Sequence, residues 1–313
     1  MITCLKGELR YLLYSKVFFV VLLVLILSLG VACFINYSDT LEMYSEYNWR
    51  LERAIEEGED VETLLTEGFE VTTENAGFLA TSTQVMNPLP YFKQMFEQKL
   101  FASSPKYAVT QATEVYIILL PFIFGIFGMM LGAYEYGNRI IKVKGVRFSR
   151  SQLMVSKHLG LFIVTLTAFL IPLVISPVMA GFAYTLIGQT IDVQAHYQVF
   201  ALNSVGMKLF YSWALGFLFA ETGFTLGLLF RRVSPGIVIL VAYLMFLPPL
   251  GKFDPKSALD LLGSKIYDFL GSVSMAYNPQ NVGVTGSILI LGVLLVAFVL
   301  TSVWIQKSRS QFY

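Results

Sequence analysis

Few residues in this chain have a type and setting that could do chemistry. Glu221 is the clearest, an acid inside the apolar run FAETGFTLGLLFRR. It lies ten residues before Arg231, about 15 Å along a helix, which places it near the midplane of a bilayer. A charge there is costly and faces a cavity or a partner group. Two readings follow: a substrate-contacting or helix-pairing carboxylate on a translocation pathway, or a protonated, hydrogen-bonded Glu with a packing role. The two histidines, His158 and His196, fall on opposite sides of a membrane in the topology derived below, so they cannot share a metal within one protomer. Asp192 and His196 stand at i, i+4 in a loop, a spacing that alone means little. GxxxxGK[ST], HExxH, GxSxG and CxxC are all missing from the sequence, so no phosphate cradle or familiar catalytic centre is written here. The expectation is a chain that is not an enzyme, with no cofactor or metal of its own.

A second polar feature is Tyr134–Leu159, YEYGNRIIKVKGVRFSRSQLMVSKHL, between two long apolar runs. It carries six basic residues, Arg139, Lys142, Lys144, Arg147, Arg150 and Lys157, against the single acid Glu135. It is too polar to span a bilayer and too long for a tight turn.

These residues need elements to hold them, and composition says what kind. The 313 residues are 56% hydrophobic and only 14% charged, against about 25% charged in a soluble domain. A spanning helix needs about 20 apolar residues. Six stretches meet or approach this: Val17–Ile35, Val115–Tyr134, Leu159–Ile187, Leu209–Phe230, Ser234–Leu250 and Val284–Ile305. The third contains Pro172 and Pro177, which favour a kink or tilt, and Pro248-Pro249 should stop the short fifth. The first run is longer than a secretory h-region and is read as a retained span. The fold class is therefore an all-α polytopic membrane protein with six transmembrane helices. Residues 1–16 precede the first span (17–36), 37–113 form an extracellular domain, and 114–313 carry the other spans, with a loop at 135–158 and another at 251–283.

Orientation follows from the positive-inside rule. Lys6, Arg10, Lys16, the 135–158 loop, Arg231-Arg232, Lys307 and Arg309 all fall on one side, the cytoplasm. Residues 37–113 fall on the other, with 13 acids against five bases. Both termini are expected inside, in the plasma membrane. Leu5, Leu9, Leu12 and Leu13 make one stripe of an N-terminal interfacial helix.

Beyond the first span, Leu41, Tyr44, Asn48, Leu51 and Ile55 recur at helical spacing and predict an outward continuation of that helix. Asp60 predicts a cap for a short helix through Leu65, and Pro90 the start of another that buries Tyr91, Met95 and Leu100. The insertion is thus expected to be helical, its acidic face mainly solvated. In 251–283, Leu259, Leu262, Ile266, Phe269 and Leu270 predict an amphipathic helix, turned back by Asn278-Pro279. Cys4 and Cys33 are too far apart along the chain's helices to form a disulfide. Gly128/Gly132 and Gly223/Gly227 have the small-xxx-small spacing of close helix packing, without saying which helices meet.

The polar stretch carries a resemblance. Glu135-Tyr136-Gly137-Asn138, then a basic segment, then Ser149-Arg150 and Ser156-Lys157, resembles the pattern of ABC-2-type exporter permeases. Ser156 stands where glycine is more usual, and Phe148 where a proline often precedes the Ser-Arg element. The layout of interfacial helix, six spans and helical outer loop is similar along the whole chain. The resemblance implies a permease that dimerises with a like or homologous protomer. It implies two copies of an ABC ATPase docked through Glu135, Tyr136, Gly137, Asn138, Arg139, Lys142, Arg147 and Arg150, with ATP and Mg held on that partner. The large insertion resembles that of members linked to antimicrobial-peptide, lantibiotic or sodium export and resistance, and the expected substrate is an antimicrobial peptide, a lipid-like molecule or a drug. Lipid is the other partner, and nucleic acid is not expected. The alternatives are a secondary transporter, which would need inverted repeats or more intramembrane charges, and a membrane scaffold or sensor using 37–113 as its ligand domain.

Overall fold

The computed structural model describes residues 2–75, 81–137, 148–249, 251–271 and 282–309. Its organising pair is two helices packed backbone to backbone. Helix α5 spans Ala108–Gly137 and helix α8 spans Val205–Phe230. A Cβ placed on Gly128 would lie 2.0 Å from the Ala220 carbonyl oxygen, and one on Gly223 only 1.9 Å from that of Gly125. Gly132 meets the Phe224 carbonyl and Gly227 that of Met129 in the same way. The two small-xxx-small pairs thus face each other, in a parallel register in which both numbers rise together. With no hydrophobic effect to join helices in lipid, such close van der Waals contact is what holds them.

The remaining helices build around this pair. Helix α1 (Ile2–Leu13) and helix α2 (Lys16–Glu56) are separated only by a bend, where Ser15 caps α2 by accepting from the Phe18 amide at 3.2 Å. Helix α6 runs Arg150–Ile187 through Pro172 and Pro177, and helix α11 runs Gly283–Arg309. Among the described residues, α2, α5, α6, α8 and α11 are five helices long and apolar enough to cross a membrane. They mark the chain as a polytopic, mainly α-helical membrane protein.

The expected sixth span is shorter. Helix α9 covers Val233–Val241 and passes into one π turn, Ala242–Phe246. Those 14 residues rise about 21 Å, short of the roughly 30 Å hydrocarbon core. Pro248-Pro249 follow directly, as their stopping role requires. A large, apolar face of α9 and α11 stays exposed, including Val238, Phe246, Leu289, Val293 and Leu300; lipid satisfies such a surface.

Helix α1 lies along α6 with Cys4, Glu8 and Leu12 buried and Lys6 and Arg10 exposed. Gly160 makes room for it, since a Cβ there would sit 3.1 Å from Leu12 Cδ1. Lys6 and Arg10 face outward as expected, but the buried stripe is Cys4, Glu8 and Leu12, while Leu5, Leu9 and Leu13 are only half-buried.

The insertion is not wholly helical. α2 continues to Glu56 as expected, and helix α3 (Val61–Thr66) is capped by Asp60. Strands β1 (Glu70–Asn75) and β2 (Thr81–Met86) then pair antiparallel, Glu70 opposite Met86 and Asn75 opposite Thr81. This ribbon, whose Val and Thr content suits strands, is the one sheet among the described residues of an otherwise helical chain. Helix α4 (Pro88–Ala102) returns to the bundle. Its Phe96 is fully buried beneath Tyr44 and Tyr47 of α2, with ring centroids at 5.1 and 6.1 Å. His196, closing the four-residue helix α7 (Val193–His196), sets its ring 5.3 Å from Phe96. Asp192 caps that turn, accepting from Gln194 N at 3.1 Å. The Asp192/His196 spacing is therefore structural. Helix α10 (Pro255–Ile266) is the amphipathic element expected after the fifth apolar run, but it stops before Phe269 and Leu270.

Candidate functional site

Two buried polar clusters sit at different depths of the bundle. The first is centred on Glu221 of α8, which is fully buried. His158 of α6 places Nδ1 2.9 Å from both carboxylate oxygens. Its other ring nitrogen, Nε2, lies 3.1 Å from Ser302 Oγ of α11. Ser302 also reaches the Val299 carbonyl at 2.8 Å. One turn along α8, Thr225 Oγ1 donates to Glu221's own carbonyl at 2.9 Å and to the Phe298 carbonyl of α11 at 3.1 Å. Three helices are thus pinned through one imidazole, and the ring of Phe224 stands edge-on to it at 5.5 Å.

The sequence reading left His158 on the polar loop, and the structure moves it. Ser149 begins α6 with a capping box: its Oγ accepts from Gln152 N, and Gln152 Oε1 accepts from Ser149 N, both at 3.4 Å. His158 is therefore two turns inside the helix, about 12 Å from its start. That is the depth of Glu221 measured from the other end of α8, so the two meet. Within this chain, Glu221 is a hydrogen-bonded group between packed helices.

The second cluster lies at the end of the bundle that bears the insertion. Glu114, on the second turn of α5, accepts from the Tyr107 hydroxyl at 2.6 Å and from Phe269 N at 2.8 Å. Leu270 N donates to the Tyr107 oxygen at 3.1 Å. Lys208, fully buried on α8, pairs with Asp268, whose other oxygen accepts from Asn203 N at 2.9 Å. Ser212 meets the Tyr267 hydroxyl. Phe269 has φ +48°, a conformation that costs an aromatic residue on the order of 1–3 kcal/mol. It turns two successive N–H groups onto Glu114 and Tyr107, which offsets that cost. Burial, with Glu114 beside it, holds the Tyr107 hydroxyl far above the usual phenol range, consistent with a permanent donor. Residues 267–270 are in effect a strap across the ends of α5 and α8.

Neither Glu114 nor Lys208 was expected inside a span, because the apolar runs were begun one residue later, at Val115 and Leu209. A buried charge at a helix end looks like a boundary when read along the chain. Its partner, about 60 residues away for Lys208 and Asp268, gives no local signal.

Of the residues assigned to partner docking, Glu135, Tyr136 and Gly137 lie on the last turn of α5 and Arg150 opens α6. Asn138, Arg139, Lys142 and Arg147 lie outside the described residues, as does the Asn278-Pro279 turn. The loop is nevertheless framed: it leaves one bundle helix of 30 residues and enters another of 38. Among the described residues, no group of three or more His, Cys, Asp or Glu could hold a metal ion. No family model, curated protein or solved structure matches the chain.

Proposed function

We infer that this chain is the membrane-spanning permease subunit of an ATP-driven exporter. Its energy comes from a separate pair of ATPase subunits docked on residues 135–158, and a second, like or homologous permease protomer completes the pathway. The observation that carries this reading is the way the basic loop is mounted. α5 and α6 run from it without interruption, and α5 is locked to α8 by glycine contacts. A push delivered at the ends of two long helices moves them as bodies. A chain with no P-loop of its own takes that push from a partner. The basic residues also bind anionic lipid headgroups on the cytoplasmic face, which accounts for their sign but not for the Glu135-to-Arg150 pattern. The plasma membrane, with both termini inside, is the compartment this function requires. Glu221 lies on the helix that would relay the motion, and a peptide, lipid-like molecule or drug is the substrate class.

The first test is the neighbouring reading frames, where a P-loop ATPase is expected, and the second is reconstitution of the chain with that ATPase. Hydrolysis stimulated by the permease should fall at least tenfold when Arg139, Lys142, Arg147 and Arg150 are reversed to Glu. An ATPase that still co-purifies and is still stimulated after that change removes the docking assignment. If no P-loop ATPase associates at all, the exporter reading fails.

A further inference from the structure

Residues 267–271 cross the ends of α5 and α8 without regular secondary structure, and each of the five is held by a group from another element. The Tyr267 hydroxyl meets Ser212 and Asp268 pairs with Lys208, both on α8. Phe269 N donates to Glu114 of α5, and Leu270 N to the Tyr107 oxygen just before that helix. The fifth contact comes from the insertion. Lys99 Nζ, on the last turn of α4, donates to the Gly271 carbonyl at 3.1 Å.

The same ammonium reaches Asp39 Oδ2 of α2, also at 3.1 Å, so one cation joins α2 and α4 to the strap. Its side chain is only 16% exposed, which shields both contacts from water. The Lys99 carbonyl accepts from Thr40 Oγ1 at 3.2 Å, and Thr40 meets Ser103 Oγ at 2.9 Å. α2 and α4 are thus fastened to each other at the level where the strap passes. Gly271 runs close to α2, since a Cβ there would stand 3.4 Å from Asn36 Nδ2.

The strap is held shut against its own backbone preference. Phe269 has φ +48°, a region that bulky residues avoid. Its N–H and that of Leu270 flank the strained Cα, and this conformation aims one at Glu114 and the next at Tyr107. Relaxing φ to negative values turns the two amides relative to each other, so the pair of hydrogen bonds is made or lost together. Weakening any anchor therefore shifts the strap toward release.

We propose that residues 267–271 are a strained clasp that couples the insertion to the α5–α8 pair, with Lys99 as the joint. While α2 and α4 keep their present spacing, the ammonium holds Gly271 and the clasp stays shut on Glu114 and Tyr107. A body that shifts α4 against α2 draws Lys99 off the Gly271 carbonyl, and Phe269 relaxes. α5 and α8 then lose the brace across their ends, while their glycine contacts farther along remain. The clasp needs only the insertion, the strap and the helix pair, and does not depend on the exporter reading.

Amide hydrogen exchange of the full chain in lipid nanodiscs reads the clasp, because the Phe269 and Leu270 amides exchange when it opens. Lys99→Met removes the cation and keeps most of the side chain's bulk. A charge-assisted hydrogen bond is worth roughly a tenfold to hundredfold change in an equilibrium. Exchange at both amides should therefore rise about tenfold or more, while the Phe219–Phe224 amides of α8 keep the parent's rate. Coupling is reciprocal. Tyr107→Phe, which takes the acceptor from Leu270 and leaves a ring against Phe101, should speed exchange at Ala102 and Ser103 where α4 ends. Arg53→Gln, at an exposed pair with Glu57, should alter neither segment. Unchanged exchange at Phe269 and Leu270 in Lys99→Met, or a rise matched at Phe219–Phe224, overturns the proposal. If Lys99→Met does not fold, unchanged exchange at Ala102 and Ser103 in Tyr107→Phe overturns it alone.

Discussion

Replacing Gly223 by alanine adds one methyl group at the point where α5 and α8 come closest. The new Cβ would stand 1.9 Å from the Gly125 carbonyl oxygen and 2.7 Å from its carbon. A carbon normally approaches a carbonyl oxygen no closer than roughly 3.3 Å, so the helices must separate by about 1.4 Å there. Neither atom is a flexible side-chain end, and both belong to hydrogen-bonded helix backbone. A radial gap of 0.5–1 Å already forfeits about a quarter to a half of each contact's attraction. The pair holds the buried centre of the bundle, Leu120, Phe124, Phe127, Phe219 and Phe224 among it. Overpacking of this kind costs about 1–3 kcal/mol when side chains can yield, and here the loss should reach about 3 kcal/mol or more. The matched control is Gly292→Ala on α11, where nothing lies within 4 Å of the added methyl. It should be neutral or stabilising, since alanine is favoured over glycine in a helix interior by up to about 1 kcal/mol. Thermal unfolding of the purified protein in one detergent compares the two. Equal stability of Gly223→Ala and the parent, or an equal loss in both variants, would refute the backbone contact.

Other substitutions probe the ends of the molecule. Lys208→Ala strands Asp268 and crowds it near Glu114 without a cation, and removing one partner of a buried pair costs about 3–5 kcal/mol; unfolding in denaturing detergent should report it, with Lys208→Arg retaining more than Ala. Burial raises the Glu97 carboxyl above its ordinary value, only partly opposed by Lys93, so the folded insertion binds more protons than the unfolded chain. Its stability should fall as pH rises through the carboxylate range. Glu97→Gln should remove that slope and be the more stable form at neutral pH, read by melting across pH. Phe96→Ala empties the centre of the aromatic packing with Tyr44, Tyr47 and His196, a loss of about 3–5 kcal/mol, and should expose the linker after α4 to protease.

The long apolar runs were plain along the chain because lipid-crossing helices are set by local composition alone. What the sequence reading lacked were the meetings. The glycine pairs were visible at small-xxx-small spacing, but their mutual register exists only when both helices are placed. Ser149-x-x-Gln152 carried a capping-box signal that would have drawn the third span down through His158 and toward Glu221. The β1–β2 ribbon had a signal too, in EVTTEN and TSTQVM, where β-branched residues cluster; the helical spacing on either side masked it. Phe269 and Leu270 fitted a helical stripe by spacing, yet their backbone amides serve Glu114 and Tyr107, a demand from another element.

Helix α2 spans 41 residues without a break, about 60 Å of stiff rod. Roughly half of that length is enough to cross the hydrocarbon, and the other half stands clear of it, carrying α3, the ribbon and α4. A rod of that kind acts as a lever with its fulcrum at the membrane surface. A change in tilt of about 10°, well within the range membrane helices adopt, displaces the top of a roughly 30 Å arm by about 5 Å. Any body that seizes the acidic tip of the insertion therefore applies torque to the buried half, with no hinge between to absorb it.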